Sequence, residues 1–277
     1  MMQENIFSTI PMRTWRWLKV NDAYQPEGTG TPEVQQLQVA AGSKETKVLL
    51  LDGITASSFK ASVAAGGELD LAVIHIGDKP LANEVVIEAA AGAKINYTGI
   101  ELSQGDLASK VTLELAGDES AADMAVFYLA DGSRTVDMNY LIRQGGRRTD
   151  ADMQVRGAML DESTKTFRGT LDFLRGSKGS VGRENEEVIT LSPHIHNRSV
   201  PLMLAGEDDV DGHHAVSIGK LDEMKLFYLQ SRGLDLAASR RLIVEAALLP
   251  ILDRLQAADL REKLHEIMKG RLADENR

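Results

Sequence analysis

The chain has 277 residues, 43% of them apolar, which is enough to bury a substantial core without disulfides or structural metals. Its 31 basic and 41 acidic residues give a net charge of -10, which argues against a protein that binds nucleic acid by neutralising phosphates. Because cysteine is absent, a disulfide framework, a thiolate metal site and a cysteine nucleophile are all excluded.

The first part of the chain has the pattern of a lead-in segment. Both tryptophans, Trp15 and Trp17, lie in the string PMRTWRWLKVN, and a linker rich in proline and glycine follows from Pro26 to Pro32. Large aromatic side chains anchor a segment on a bigger body, and a Pro/Gly-rich stretch interrupts regular structure. We therefore predict that residues 1–33 form a short segment held on the main body by the two tryptophans.

From about Val34 to Val210 the apolar residues alternate with polar ones, which is typical of β-strands. Turn residues such as Asp131-Gly132 and Gly145-Gly146 separate the runs. This pattern predicts a strand-rich domain over residues 34–219. Periodicity alone leaves a sandwich, a barrel and a β-helix open, and the glycine-rich turns favour the β-helix only slightly. The alternating runs are Leu69, Leu71, Val73; Ile95, Tyr97; Val111, Leu113, Leu115; Met124, Val126, Tyr128; Val136, Met138, Tyr140; Met153, Val155; and Phe167, Leu171, Phe173.

After Gly219 the apolar spacing becomes helical. Asp222 is placed to cap a first helix, which Gly233 would end, and Asp235 is placed to open a second. The second helix carries an apolar stripe of Leu242, Ile243, Ala246, Leu249 and Leu252.

A third helix is predicted near the C-terminus. Pro250 would kink the second helix or restart it, and Asp259 with Glu262 resembles a capping box, with Gly270 as a stop. Residues 220–277 are thus expected to form a helical subdomain. It could close the open end of the strand domain or present a groove to a partner, and the closing role needs fewer assumptions.

Four of the six histidines fall within a short stretch near acidic residues. His194 and His196 are two residues apart, so on a strand they would share one face, as metal-ligating histidines often do. His213 and His214 are adjacent, so only one of them can point to that face. A His-x-His pair alone is a weak signal, and surface histidines in acidic loops are the favoured explanation.

No enzymatic motif stands out. The chain has neither a Gly-x-Ser-x-Gly elbow nor a phosphate-binding loop, and the glycine-rich stretch from Gly176 to Gly182 lies between strands, where a tight turn is expected. Carboxylates such as Asp152, Asp172 and Glu101 could pair for glycosidic chemistry, but their spacing singles out no pair.

Two strings resemble the core of a known family. They are GSKGSVGRENEEVITLSP from Gly176 and EDDVDGHHAVSIGKLDEMKLFYLQSRGLDLAASRRLIVE from Glu207. Their glycine-rich turn, their strand that ends in Leu-Ser and their Leu-Asp-Glu-x-x-Leu-Phe-Tyr-Leu-x-Ser-Arg-Gly segment are similar to the SufB/SufD family of iron-sulfur cluster assembly scaffolds. His214 matches the histidine of the family's Cys-x-His element, whereas Gly212 stands where the family usually has cysteine.

The resemblance implies a fold and a set of partners. The fold would be a right-handed parallel β-helix, a solenoid, followed by a C-terminal α-helical subdomain. The function would be that of a SufD-like, non-enzymatic scaffold subunit that works with a SufC-type ATPase and a SufB-type subunit, which would supply the thiolates. With no thiolate of its own, the chain should hold no stable cluster, and a transient one would need a partner.

The same resemblance places candidate site residues. His214, with His213, is the candidate for cluster assembly and the interface. ATPase binding is expected in a groove between the first two predicted helices, at Asp222, Leu226, Phe227, Tyr228, Arg232 and Arg241. A homodimer of the isolated chain is expected through Val210, Val216 and Ile218, since the end of a β-helix exposes unpaired backbone.

Two other functions are retained as alternatives. One is a carbohydrate-active β-helix enzyme, and the other is a metal-binding module that uses the histidines, with His194 and His196 as weak ligands. No apolar run reaches the roughly 18 residues of a membrane span, and the N-terminus lacks the order of a signal peptide, so a cytoplasmic location without membrane contact is expected.

Overall fold

The structure is a computed structural model, which describes residues 8–10, 20–22 and 24–273. Trp15 and Trp17, predicted to anchor the lead-in segment, lie outside the described residues. The described chain contains strands β1 (Val34–Val39), β2 (Lys44–Asp52), β3 (Ala56–Val63), β4 (Glu68–Ile76), β5 (Leu81–Ala89), β6 (Lys94–Glu101), β7 (Leu107–Leu115), β8 (Ala121–Ala130), β9 (Thr135–Gln144), β10 (Asp150–Met159), β11 (Thr164–Phe173), β12 (Ser180–Thr190), β13 (His196–Ala205) and β14 (Val210–Lys220). Helices α1 (Glu223–Ser231), α2 (Leu236–Leu252) and α3 (Ala258–Ala273) follow.

The strands form two parallel sheets. The odd sheet has the order β1-β3-β5-β7-β9-β11-β13, and the even sheet has the order β14-β12-β10-β8-β6-β4-β2. Each strand therefore pairs with the strand one turn later, for example Val34 with Ser58 and Thr164 with His196. Parallel pairing of every second strand in two facing sheets is the topology of a β-helix. The predicted β-helix with a C-terminal helical subdomain is confirmed.

Alternate residues of both sheets point into the solenoid and form its core. In the even sheet these are residues such as Leu71, Tyr97 and Tyr128, all fully buried. Large inward side chains require small neighbours, because an added Cβ on Gly157 would lie 2.0 Å from the ring of Tyr128. The interior is thus filled layer by layer from one turn to the next.

Carboxylates join neighbouring turns of the solenoid. The Oδ2 atom of Asp161 accepts a hydrogen bond from the backbone N–H of Gly132 at 2.7 Å, and a Glu207 oxygen accepts one from Gly176 at 3.1 Å. Gly176 has a φ of 100°, which favours glycine, so its stretch is a solenoid turn as the sequence predicts. These bonds satisfy turn N–H groups that no strand pairs.

The first two helix starts agree with the sequence, and the third does not. Asp222 caps α1 and Asp235 caps α2 through their side chains. The capping box predicted at Asp259 is wrong, because α3 begins one residue earlier and Asp259 lies in its first turn. The stop predicted at Gly270 is also wrong, since α3 runs to Ala273. Pro250 lies in the last turn of α2, which ends two residues later.

The helices cover one flank of the solenoid, not its end. The outer face of the even sheet is apolar over β4 to β10, and α2 and α3 pack onto it through residues such as Leu248 and Leu264. The expectation that the helices close an open end is therefore wrong, because burial of this second apolar face determines where they lie. Arg271 secures α3 by hydrogen bonds to Asp131 and to the backbone oxygens of Leu102, Ser103 and Leu129.

The described part of the lead-in segment packs on the odd sheet. Arg168 pairs with Asp137 at 2.7 Å and donates to the backbone oxygen of Val20, while the Ser8 hydroxyl donates to Asp137 at 3.1 Å. These buried polar contacts and the buried side chains of Ile10 and Val20 hold the described part of the segment on the odd sheet.

None of the described helices is both long enough and apolar enough to span a bilayer.

Candidate functional site

The C-terminal end of the solenoid is the first candidate surface. Strand β14 pairs with β12 along one edge, and no strand of the described chain pairs with its other edge. Most of β14 is exposed, including Val216 at 37% and Ile218 at 49% of their surface. An unpaired, partly apolar edge strand is able to pair with another chain.

The inward face of β14 changes from covered to open along its length. Val210 packs against the core, and an added Cβ on Gly212 would contact Met203 and Phe173. His214, Val216 and Ile218 follow on the same face but are exposed, since no further turn of the described chain covers them. Val210 therefore offers little surface to a partner, and the accessible part of the predicted interface consists of Val216 and Ile218.

The other histidines do not gather around His214. His213 points to the opposite face, where its Nε2 atom lies 2.9 Å from Asp211. His194 lies in the turn before β13 and His196 is the first residue of that strand, so they are not two positions on one strand face. No three His, Asp or Glu side chains of the described residues are placed to hold a metal ion.

A buried charged cluster lies one turn below His214, and sequence reasoning missed it. Lys165 forms an ion pair with Glu186 and donates to the Ser199 hydroxyl at 3.0 Å. Burial raises the pKa of Glu184 to about 8, with Glu186 adding to the effect and Lys165 opposing it. Burial also lowers the pKa of Lys165. Glu184 is the pairing partner of His214 in the next turn, so this cluster underlies the open end.

The sequence Glu184-Asn185-Glu186 in β12 is the one feature of the sequence that indicates this buried cluster. Glu184 and Glu186 alternate with Val188, an inward core residue, so their side chains must also point inward. Both oxygens of Glu184 and one of Glu186 find no hydrogen-bond partner in the described chain. The cation that lies opposite, Lys165, comes from the other sheet, 21 residues away, and only the register reveals it.

Helix α1 is the second candidate surface. None of its residues is buried, and Met224, Phe227 and Tyr228 are exposed by 74%, 68% and 56%. Spacings of three and four residues place these side chains on one stripe of the helix. The Arg232 guanidinium lies 5.2 Å from the centre of the Tyr228 ring. An apolar stripe of this exposure is typical of a binding surface.

The remaining residues predicted at the ATPase surface have structural positions around α1. Asp222 accepts the Met224 N–H at 2.9 Å as the helix cap. Leu226 is half-buried and lines a groove of about 320 Å³ between α1 and the turn that contains Pro193. Arg241 lies on α2 with its Nε atom 3.8 Å from Glu245. The predicted groove between α1 and α2 is thus, in the structure, mainly a groove between α1 and a solenoid turn.

The carboxylates considered for glycosidic chemistry do not converge. Glu101 is buried with an oxygen 3.1 Å from the Nδ1 atom of His75. Asp172 pairs with Arg143 at 3.0 Å on the odd sheet, whereas Asp152 lies on the even sheet. These three residues form no catalytic pair.

The two candidate surfaces are adjacent in the chain. Strand β14 ends at Lys220 and α1 begins at Glu223. The open strand and the exposed helix are thus separated only by Leu221 and Asp222.

Comparison with known proteins assigns the chain to a family. Residues 36–247 match the family model described as the SUF system FeS cluster assembly SufBD core domain. The iron-sulfur cluster assembly protein SufD of Bacillus subtilis is 26% identical over 158 residues, which cover 57% of this chain and 36% of that protein.

Two further relatives agree. An iron-sulfur cluster assembly SufBD family protein of Pyrococcus horikoshii is 32% identical over 113 residues, covering 41% of this chain and 24% of that protein. The chloroplastic protein ABCI7 of Arabidopsis thaliana is 23% identical over 158 residues, covering 56% and 33%. The chain therefore spans only about a quarter to a third of the length of these relatives. Since the matching model covers most of the chain, including both candidate surfaces up to α2, the chain belongs to the SufB/SufD family of iron-sulfur cluster assembly proteins.

Proposed function

We propose that this chain is a non-enzymatic, SufD-like scaffold subunit that pairs with a SufB-type subunit through β14 and docks a SufC-type ATPase on α1. The observation that carries the proposal is the adjacency of the two surfaces. An edge strand with an open side and a helix that buries none of its residues follow each other within a few residues. In an isolated monomer both features would leave apolar surface exposed to water, so both indicate surfaces that bind a partner.

The ATPase surface is assigned to the stripe of Met224, Phe227 and Tyr228. A nine-residue helix has little intrinsic stability, and α1 gains little from burial, because Leu226 is only half-buried and no side chain of α1 is fully buried. Exposed aromatic residues at one spot are the usual anchors of a protein interface. The groove beside Leu226 would accept a side chain from the ATPase. Arg232 and Arg241 would then lie at the rim of the interface.

The scaffold surface is assigned to the exposed half of β14. Main-chain pairing on its open edge would be combined with packing of Val216 and Ile218. Without a SufB-type partner, two copies would pair through the same strand about a two-fold axis, so the isolated chain is proposed to be a homodimer. His214, on the open face between Gly212 and Val216, would then lie in the interface.

The chain would hold no stable cluster alone. It has no thiolate, and clusters are held mainly by cysteine sulfur. A SufB-type partner would supply the thiolates, with His214 as one further ligand or an interface residue. The chain would act in the cytoplasm, without nucleic acid or membrane as a partner. The two alternative functions receive no support, because Glu101, Asp152 and Asp172 do not converge and no group of three His, Asp or Glu side chains among the described residues is placed to hold a metal ion.

Co-purification tests the two surfaces separately. The untagged protein is isolated from its own host with its partners, and we expect an ATPase and a second scaffold subunit. Phe227→Ala with Tyr228→Ala should lose the ATPase and keep the scaffold subunit. Val216→Lys should lose the scaffold subunit and the homodimer, and keep the ATPase.

A matched control uses two apolar residues on β2, at the other end of the solenoid. Val48 and Leu50 are exposed by 42% and 44%, so Val48→Ala with Leu50→Ala also removes exposed apolar surface and should change neither interaction. The proposal fails if the α1 double variant retains the ATPase. It also fails if Val216→Lys leaves a dimer at micromolar concentration, as measured by sedimentation.

A further inference from the structure

The N-terminal end of the solenoid also has an open strand edge. Strand β2 pairs with β4 along one side, and no strand of the described chain pairs with its other side. Seven of its nine residues are exposed. The free N–H and C=O groups of such an edge strand are able to pair with another chain. The proposed function uses only the opposite end of the solenoid, so it leaves this edge without a role.

The outward face of β2 is apolar where the helices no longer cover the even sheet. Val48 and Leu50 are exposed by 42% and 44%, although their register partners Ala72 and Ile74 are buried beneath the helices. A groove of about 470 Å³ lies between β2 and the turn that joins α2 to α3. The apolar layer outside the even sheet therefore ends on a strand that is exposed to water.

The sequence of β2 is complementary to itself in one antiparallel arrangement. When a two-fold axis passes beside Val48, all nine residues of the strand have a directly opposed residue in a second copy. Lys44 at one end of the strand then faces Asp52 of the second copy. Val48 faces Val48 of the second copy, and Leu50 faces Thr46. Two pairs of opposite charges thus enclose a mainly apolar centre.

Other arrangements of the same edge are less favourable. If the axis passes beside Thr46 instead, only residues 44–48 are paired and Asp52 has no mate. Parallel pairing in register would place Lys44 beside Lys44 and Asp52 beside Asp52, and like charges that oppose each other are destabilising. In the favoured arrangement Lys47 still lies diagonally across from Lys47 of the second copy. Since one strand pair also buries less than a standard interface, we expect a dissociation constant on the order of hundreds of micromolar.

We propose that β2 is a second association surface of this protein, and that its partner is β2 of a second copy, paired antiparallel about Val48. The surface goes beyond the proposed assembly function, because it uses neither β14 nor α1. It would join two subunits at high local concentration and leave β14 and α1 of each subunit free for other partners.

Single cysteines test the pairing directly, because the natural chain has none. Directly opposed residues of antiparallel strands have Cα atoms about 4.5–5.5 Å apart, which is within the range of a disulfide. Under mild oxidation Val48→Cys should therefore form a covalent dimer on a non-reducing gel. Thr46→Cys and Leu50→Cys should each remain monomeric alone, because each faces the other residue, and they should crosslink when the two variants are mixed.

All of these variants also carry Val216→Lys, so that association through β14 does not contribute. Leu242→Cys is the matched control, because Leu242 is exposed by 43% but lies on α2, and it should not crosslink. Sedimentation gives an independent measurement. At concentrations of about 300 µM the Val216→Lys protein should form dimers, and Val48→Lys should abolish them because two ammonium groups would meet at the axis.

Three results would overturn the proposal. The first is crosslinking of Val48→Cys that is no faster than that of Leu242→Cys. The second is a Thr46→Cys variant that crosslinks as well alone as in the mixture with Leu50→Cys, since this contradicts the register. The third is a dimer that persists at high concentration in Val48→Lys. A failure of the β14 assignment would instead appear as a dimer of the Val216→Lys protein at low micromolar concentration, so the two failures are distinguishable.

Discussion

Replacement of Glu184 by glutamine should stabilise the protein in alkaline solution. The pKa of this carboxyl group is raised from 4.5 to about 8, because burial disfavours its charged form. Between these two pH values the folded state holds a proton that the unfolded state has lost. Stability therefore falls as the pH rises from about 4.5 to 8, and the contribution is constant above that range.

The magnitude follows from the two pKa values. Each pH unit between them corresponds to about 1.4 kcal/mol, which gives an upper bound of about 5 kcal/mol. Replacement by glutamine also removes the attraction between the Glu184 carboxylate and Lys165, so we expect a difference of about 2–4 kcal/mol between Glu184→Gln and wild type at pH 8.5. At pH 5 the two proteins should differ little, since glutamine resembles the protonated acid.

Urea denaturation at a series of pH values measures the effect. Glu187→Gln is the matched control, because Glu187 lies on the same strand but points outward, with 45% of its side chain exposed. The same pH dependence in the two variants would show that burial of Glu184 does not govern the effect. The reasoning is also refuted if wild type and Glu184→Gln remain parallel from pH 5 to pH 8.5.

Three further outcomes are expected. Arg271→Ala should cost about 3 kcal/mol in urea denaturation, because Asp131 and three carbonyl groups lose a partner that is only 8% exposed, whereas Lys269→Ala, which breaks an exposed pair, should cost less than about 0.5 kcal/mol. Gly157→Ala should cost about 2–3 kcal/mol in the same assay, because the new methyl group would overlap the Tyr128 ring, and a loss below 0.5 kcal/mol would show that the ring has room to move. Anaerobic reconstitution of the isolated chain with iron and sulfide should leave it colourless after desalting, and a stoichiometric brown chromophore would contradict the absence of cluster ligands.

The sequence predicted the strands in the middle of the solenoid and missed others for a physical reason. Alternation is visible where one face is apolar and the other polar, as at Leu69 and Leu71 in β4. In β2 the outward residues Val48 and Leu50 are also apolar, so alternation disappears. In β12 the pattern is hidden in the opposite way, because Glu184 and its inward neighbours are polar.

The packing of the helices on the even sheet could in principle have been predicted from the sequence of β4. In β4 the run from Leu71 to Ile76 is buried on both faces, which is unusual for a strand with one side in water. This continuous burial indicates a second layer outside the even sheet. Local signals such as the caps Asp222 and Asp235 are set by a few neighbouring residues and were predicted correctly, whereas the helix packing depends on contacts across the whole chain.

The candidate site was predictable only in part. The alternation rule places His214 on the same face as Val210, Val216 and Ile218, and the register with β12 shows that this face points inward, above Glu184. The contact of Met203 with Gly212 joins two strands of different sheets and has no signal in sequence spacing. Residues that meet through the turn-to-turn register are therefore the ones that sequence reasoning misses.

The caps of the two helices allow a last prediction that separates local from global stability. Asp222 caps α1, which buries no residue, and Asp235 caps α2, which packs on the even sheet through Val244 and Leu248. Loss of either cap lowers the stability of its helix by about 1 kcal/mol. In Asp222→Ala this loss should appear as faster hydrogen exchange over α1 and weaker ATPase co-purification, with the global unfolding midpoint unchanged. In Asp235→Ala it should lower the global midpoint. Equal effects of the two substitutions on global unfolding would show that α1 is part of the cooperative core, and the docking role of its exposed stripe would then lose its physical basis.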